Sequence, residues 1–202
     1  MLQLQSLFKE KIIPHINNLS DSAKKIGAVN TIIRKNNQLY GYNTDWIGII
    51  KPLKLINTKN WNQTKVLILG AGGTARAAIY GLQHLNCLNI YIFNRTISKA
   101  KNMAQEFNCN YIDNLNQIDT IDIIISTLPS SINYTLPIET LKSKPIIFDV
   151  NYLPNITPLT QQGIDIGCKI IKGIDMLIYQ GIEQNKLWTQ NEISFNKLKK
   201  YI

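Results

Sequence analysis

Long apolar runs are missing from this 202-residue chain. Even stretches rich in isoleucine, such as Ile121 to Ile125 and Ile146 to Val150, are interrupted by Asp122 and Asp149 and fall far short of the roughly 20 residues a membrane-spanning helix needs, which excludes membrane insertion. Cysteine is scarce. Cys87, Cys109 and Cys168 are odd in number, widely separated and without metal-ligand spacing, which argues against a disulfide framework or a metal site and leaves ordinary buried thiols. Met1 is followed by LQLQSLFKEK, which has no basic start, apolar core or small-residue cleavage site; no secretory signal is visible, and a cytoplasmic location is the default. Acidic residues are outnumbered, 13 Asp and Glu against 22 Lys and Arg, for a formal charge of +9. The lysines are dispersed and no basic stripe interleaves with aromatics, so nucleic acid is not an expected partner and solvated lysines explain the charge. Internal repeats and low-complexity tracts are also lacking. The 45% hydrophobic content is that of a globular chain with a real core, divided into one large domain or two small ones.

The most informative feature present is VLILGAGGTAR, Val66 to Arg76. An apolar run that breaks into Gly-x-Gly-x-x-Ala and continues as a helix lets backbone approach a pyrophosphate, with helix N-terminal amides facing the anion. Gly70 permits the tight turn, Gly72 the close approach, and Ala75 the packing of helix on strand. Ala71, Gly73 and Thr74 complete the loop. A second apolar run, Asn89 to Phe93, ends in Asn94, Arg95 and Thr96, with Lys99 nearby. A chain selecting NAD puts Asp or Glu there for the ribose 2′-hydroxyl, whereas these residues offer donors and positive charge to a 2′-phosphate. NADP is therefore the expected cofactor, and the basic surface suits a phosphorylated cofactor and an anionic small substrate.

From Lys65 to Gly173 short β-branched runs alternate with helical patterns. Val66 to Leu69, Ile90 to Phe93, Ile121 to Ser126, Ile146 to Val150 and Lys169 to Lys172 read as strands, Thr74 to Leu85 and Ser98 to Phe107 as the clearest helices. This predicts an α/β fold, a Rossmann-type parallel sheet over residues 61–172 with its site in the loops after the strands. Residues 1–60 read as a partial substrate-binding α/β lobe. They comprise a helical segment around Lys11 to Ile16, strands Ala28 to Arg34 and Leu39 to Tyr42 about a turn at Asn36-Asn37, and a helix from Asp45 to Ile56. A crossover unit alone needs about 30 residues, so this lobe is expected to be truncated at its amino terminus. Residues 173–202 read as helices, Ile174 to Trp188 and Ile193 to Tyr201, returning to that lobe.

Two further polar clusters flank the first hairpin, GAVNT from Gly27 and GYNTD from Gly41. Taken alone, NTD before a helix reads as a cap by Thr44 or Asp45. Taken in order with GAGGTARA, NRT, DVNYLPNITPL and GIDMLIYQ, however, these clusters resemble the shikimate dehydrogenase family over about Phe8 to Trp188. Within the family, the STLPSS form at Ser126 to Ser131 looks more like the dehydrogenase domain ending multifunctional shikimate-pathway polypeptides than like the usual bacterial form, so other pathway domains on the same polypeptide are candidate partners.

The resemblance implies NADPH-dependent reduction of 3-dehydroshikimate to shikimate, and the reverse, in aromatic amino acid (chorismate) biosynthesis. It assigns Lys9 and Asp45 as the catalytic pair, although Lys9 alone reads as a solvated helix lysine. Asn30, Asp45, Tyr152 and Gln180 fall at substrate-binding positions. Gly70 to Thr74, Asn94, Arg95, Thr96 and Lys99 fall at NADP-binding positions, with Val150, Gly173 and Met176 near the nicotinamide; no metal is implied. The sequence departs from the family at Leu7, which replaces a proline, at Gln5, which replaces a threonine, and in lacking the Ser-x-Ser strand for the substrate carboxylate. Two other readings remain, a non-catalytic metabolite sensor or repressor-like relative, and a quinate dehydrogenase.

Overall fold

A computed structural model describes residues 2–3 and 8–200. Gln5 and Leu7, where the family pattern is broken, lie outside the described residues.

The first lobe contains β1 (Leu2–Gln3), β2 (Asn18–Leu19), α1 (Asp21–Ile26), β3 (Thr31–Lys35), β4 (Gln38–Tyr42) and α2 (Asp45–Ile56). Its strands form one sheet in the order β1-β3-β4-β2. The expected hairpin is present: Asn36 and Asn37 both take positive φ, 50° and 59°, the left-handed pair that a two-residue turn between twisted strands requires. Strand β3 starts at Thr31 rather than Ala28. The preceding backbone is committed elsewhere, with Ala28 O accepting from Asn43 Nδ2 at 3.0 Å and Val29 N donating to Lys9 O at 2.7 Å.

The helical segment expected around Lys11 to Ile16 is only a 3-10 turn, Ile13–His15, where Pro14 has no N–H to continue a helix. Helix α1 is an element beyond those the sequence pattern predicts. Its signals are present, an N-cap at Ser20 whose side chain accepts from Ala23 N, and Gly27 in the left-handed region past its end.

The second lobe runs β5 (Lys65–Leu69), α3 (Gly73–His84), β6 (Asn89–Phe93), α4 (Ile97–Phe107), β7 (Asn110–Ile112), β8 (Ile123–Ser126), β9 (Ile146–Asp149), α5 (Pro158–Ile166) and β10 (Ile170–Ile171). These strands make a six-stranded, all-parallel sheet in the order β10-β9-β8-β5-β6-β7, a Rossmann-type arrangement. The chain winds outward from β5 through β6 to β7, then crosses back to β8 beside β5. The reversal opens a crevice beyond the carboxyl ends of β5 and β8, where open parallel sheets hold ligands. Both faces of the sheet are buried, as its near-continuous apolar strands require. Val66, Ile68, Ile90, Ile92, Ile123 and Ile125 pack under α3 and α4, while Leu67, Leu69, Ile124 and Ile147 face Leu136, Leu141 and Leu159. Strand β8 begins at Ile123 rather than Ile121, since the Asp122 carboxylate takes the Lys65 N–H at 2.9 Å and ends the ladder there. Strand β7 carries no apolar alternation in its sequence, because Asn110 and Tyr111 are exposed at the sheet edge.

After β10, α6 (Gly173–Thr189) packs along α2, and α7 (Phe195–Lys199) lies on α6 through Tyr179 stacked on Phe195. No helix among the described residues is long and apolar enough to cross a membrane.

Candidate active site

The GAGG segment folds as its composition dictates. Gly70 has φ +107°, a conformation L side chains rarely adopt, and its N–H donates to Phe93 O at 2.9 Å, which turns the chain sharply off β5. Gly72 is the N-cap of α3; no side chain caps that helix, and the space a Cβ would occupy is open. The first amides of α3 therefore face an open approach, with Thr74 lining the cavity beside them. In α4, likewise, Thr96 occupies the N-cap position and its side chain makes no capping bond. Asn94, Arg95, Thr96 and Lys99 sit in this loop and the first turn of α4, with Arg95, Thr96 and Lys99 exposed and Asn94 Nδ2 donating to Thr96 O at 3.0 Å. Because β5 and β6 are parallel neighbours, the two loops lie at one edge of the sheet. An uncapped helix start over open space and a cationic second loop fit a phosphorylated dinucleotide.

A cavity of about 470 Å³ lies between the lobes. Lys9, Asn30 and Asp45 line it from the first lobe, Thr74, Val150 and Tyr152 from the second, and Gly173, Met176 and Gln180 from α6. Every residue expected at the catalytic, substrate and nicotinamide positions is thus at one cavity, while Asn94, Arg95, Thr96 and Lys99 stand outside it on the neighbouring loop.

At its floor the Lys9 ammonium donates to Asp45 Oδ2, and both residues are buried, 8% and 4% exposed. Reading Lys9 alone as a solvated lysine, or NTD as a helix cap, does not survive this geometry. Neither Thr44 nor Asp45 caps α2: Thr44 makes no side-chain cap bond, and the Asp45 carboxylate is taken by Lys9 and by Asn30 Nδ2 at 2.7 Å. Asn30 is held at both ends. Its Oδ1 accepts from Thr31 Oγ1 at 2.8 Å and Thr44 N at 2.9 Å, and its Nδ2 also reaches Thr44 Oγ1 at 3.0 Å and Gln180 Oε1 at 3.4 Å. Two amide hydrogens face three acceptors, so a ligand hydroxyl can replace one protein acceptor without leaving a buried group unpaired. Gln180 comes this close because α6 presses on α2 at Gly48, where a Cβ would fall 2.7 Å from Met176 O.

Several site features were not singled out from the sequence. Pro129, Ser130, Asn151, Leu153 and Leu177 also line the cavity. Asp149, buried at the end of β9, accepts from Asn151 N at 3.0 Å, Asn151 Nδ2 at 2.8 Å and Thr157 Oγ1 at 2.8 Å. Asn151 Nδ2 reaches Leu128 O at 2.9 Å as well, which joins the loops after β8 and β9. The signal was available in DVNYLPNIT, where an acid at a strand end precedes Asn and Thr donors. Gly173 packs against this loop so tightly that a Cβ would lie 2.3 Å from Asn151 O and 2.5 Å from Val150 O. Gly173→Ala is therefore expected to cost about 2 kcal/mol by forcing backbone apart, read as a lowered denaturation midpoint at unchanged slope, with a larger loss in turnover than in dinucleotide affinity.

Other groups are bystanders. Burial pushes the Cys87 and Cys109 thiols up to about 11 and raises Cys168, so thiolate is scarce near neutrality. His84 packs with Tyr80 and Trp46 on the outside of α2 and α3, and Trp46 thereby serves packing. No group of three or more His, Cys, Asp or Glu among the described residues is placed to hold a metal ion.

Fold and site together define a class, an α/β dinucleotide-binding domain joined to a second lobe across a cleft with a buried lysine–carboxylate pair. Comparison with known proteins narrows it. The family model for shikimate / quinate 5-dehydrogenase matches residues 53–166. The shikimate dehydrogenase (NADP(+)) of Aquifex aeolicus is 36% identical over 198 residues, covering 94% of this chain and 71% of that protein. The pentafunctional AROM polypeptide of Eremothecium gossypii is 35% identical over 202 residues, covering 90% of this chain and 13% of its own length. The crystal structure of shikimate 5-dehydrogenase from Thermus thermophilus, in complex with NADP(H) and shikimate, superposes with a TM-score of 0.87 at 27% identity, covering 98% of this chain and 76% of that one. The chain belongs to the shikimate/quinate 5-dehydrogenase family.

Proposed function

We propose that this protein interconverts 3-dehydroshikimate and shikimate with NADP(H), in the pathway to chorismate and the aromatic amino acids. The observation that carries this reading is the buried Lys9–Asp45 pair at the floor of the interlobe cavity, opposite the uncapped start of α3.

Gly70 to Thr74 would hold the pyrophosphate and Asn94, Arg95, Thr96 and Lys99 the 2′-phosphate, with Val150, Gly173 and Met176 beside the nicotinamide. The cofactor, when bound, supplies or accepts the hydride at the substrate's carbonyl carbon. As hydride reaches that carbon the oxygen gains negative charge, and the Lys9 ammonium donates a proton to it; in the reverse direction the Lys9 amine accepts the proton of the hydroxyl. Asp45 aims the ammonium and compensates its charge. Asn30, Gln180 and Tyr152 orient the ring through its hydroxyls, and the apolar Val150, Met176 and Leu177 keep water from the reacting carbon.

The test is a steady-state assay following reduced nicotinamide, with shikimate or quinate as substrate and NADP or NAD as oxidant. The expected result is turnover of shikimate with NADP in preference to the other pairings. Arg95→Ala should raise KM for NADP about 10- to 100-fold, the worth of a lost charge-assisted phosphate contact, and leave KM for NAD nearly unchanged. Calorimetric binding of NADP and shikimate with no turnover would reassign the chain as a metabolite-binding relative. Preference for quinate would reassign its substrate.

A further inference from the structure

We propose that Arg76 is a positioning residue that ties the cofactor-binding helix α3 to the catalytic pair, so that dinucleotide and substrate tighten each other's binding. The inference rests on the functional reading above. Arg76 belongs to the GAGGTAR motif but lines no part of the cavity. Its side chain, 14% exposed, turns away from the cofactor loop and bridges three elements. Nε donates to Ile26 O, the last residue of α1, at 2.5 Å; Nη1 donates to Glu106 Oε2 of α4 at 2.7 Å and Nη2 to Glu106 Oε1; and the guanidinium lies 5.0 Å over the Phe107 ring. A forked cation on a carboxylate and over an aromatic face is held in one orientation, and here its Nε–H grips a carbonyl at the C-terminal end of α1. The guanidinium also holds the Glu106 carboxyl below its usual range.

The position of that carbonyl is what matters. The next residue, Gly27, has φ +68°, and a Cβ there would fall 2.5 Å from Arg76 Nη2, so the chain passes directly beneath the guanidinium. Ala28 and Val29 follow, and these are the anchors of the site: Ala28 O holds Asn43 of the NTD turn, and Val29 N holds the backbone of Lys9. Asn30 comes next. A second route is direct, since a Cβ on Gly73, the first residue of α3, would lie 3.6 Å from both Ala28 Cβ and Lys9 Cβ. The first residue of α3 therefore lies close beside Lys9 and Ala28, and Arg76, three residues on, holds the chain entering β3, whose Val29 N–H binds the Lys9 backbone and whose next residue is Asn30. A ligand that fixes α3 also fixes Lys9, and the reverse holds by linkage.

The experiment is calorimetric titration of shikimate into the full chain with and without saturating NADPH, a pair that cannot react because both are reduced. In the native protein NADPH should tighten shikimate about five- to tenfold, and shikimate should tighten NADPH by the same factor. In Arg76→Met the factor should fall below about twofold, with the affinity for each ligand alone changed less than about twofold. If Arg76→Met does not fold, Glu106→Ala tests the same tie. Its site is 52% exposed on α4, and loss of the fork should reduce the coupling at least about twofold. A variant that merely loosened the fold would lower its melting temperature and leave the coupling factor unchanged, and that outcome overturns the proposal. So does a native protein that binds the two ligands independently. Failure of the native protein to bind either ligand would instead bring down the functional reading, and this inference with it.

Discussion

Lys9→Met is expected to lower kcat about a thousandfold while KM for NADP stays within about twofold. The size follows from what the ammonium supplies. Hydride transfer to a carbonyl places charge on oxygen, and a positioned proton donor is worth about 10²- to 10⁴-fold there. The selectivity follows from what the substitution leaves in place. The backbone of Lys9 still accepts the Val29 N–H at 2.7 Å, and the substitution leaves its Cβ, which lies beside Gly73, in place, so the cofactor loop keeps its surroundings. Asp45 keeps the Asn30 amide at 2.7 Å and is not stranded. Stopped-flow turnover together with NADP titration reads the two effects separately. Equal loss of turnover and NADP affinity would mean that Lys9 is a strut for the nucleotide loop, and full activity would mean that the proton comes from elsewhere.

Local chemistry made part of this site legible and hid the rest. VLILGAGGTAR announces a strand, a turn and a helix, because glycine, β-branched and alanine preferences act within a few residues, and the structure has β5, the positive φ at Gly70 and α3 where they belong. The hairpin at Asn36-Asn37 was visible for the same reason. Nothing local reveals that Lys9 is buried: its partner Asp45 is 36 residues away, and the two meet only because Val29 carries Lys9's backbone while Asn43 folds back on Ala28. Order among motifs, rather than any single residue, pointed to the pair. Asp149 and Arg76 were missed for a related reason. Each lies inside or beside a motif whose neighbours had an obvious use, and their own role is to hold other backbone segments, which only the folded chain displays. Helix α1 was passed over although Ser20 and Gly27 mark both its ends, because six residues show too little periodicity to outweigh the loop-like polarity around them.

The buried Lys9–Asp45 pair should also weigh on stability, and asymmetrically. Asp45→Ala removes the acceptor that the Lys9 ammonium, 10% exposed in its side chain, has among the described residues. Removing one member of a buried ion pair costs about 3 to 5 kcal/mol; water entering the cavity places this case near the lower figure, about 3 kcal/mol. For a chain of this length that lowers the melting temperature by roughly 6 to 12 °C. Lys9→Met is milder, about 1 kcal/mol, since the Asp45 carboxylate retains a donor in Asn30. The double variant Lys9→Met/Asp45→Leu removes both charges and restores apolar volume, and should recover most of the stability lost in Asp45→Ala while remaining as inactive as either single variant. Thermal unfolding of the three proteins, paired with turnover, separates the two roles. If the pair were an ordinary surface salt bridge, every variant would stay within about 1 kcal/mol of the native chain. If the double variant melted as low as Asp45→Ala, the cost would lie in lost packing around α2 rather than in a stranded charge. Recovery of stability without activity would mean that the ammonium and carboxylate are retained for chemistry, at a site the fold would hold as firmly with methionine and leucine.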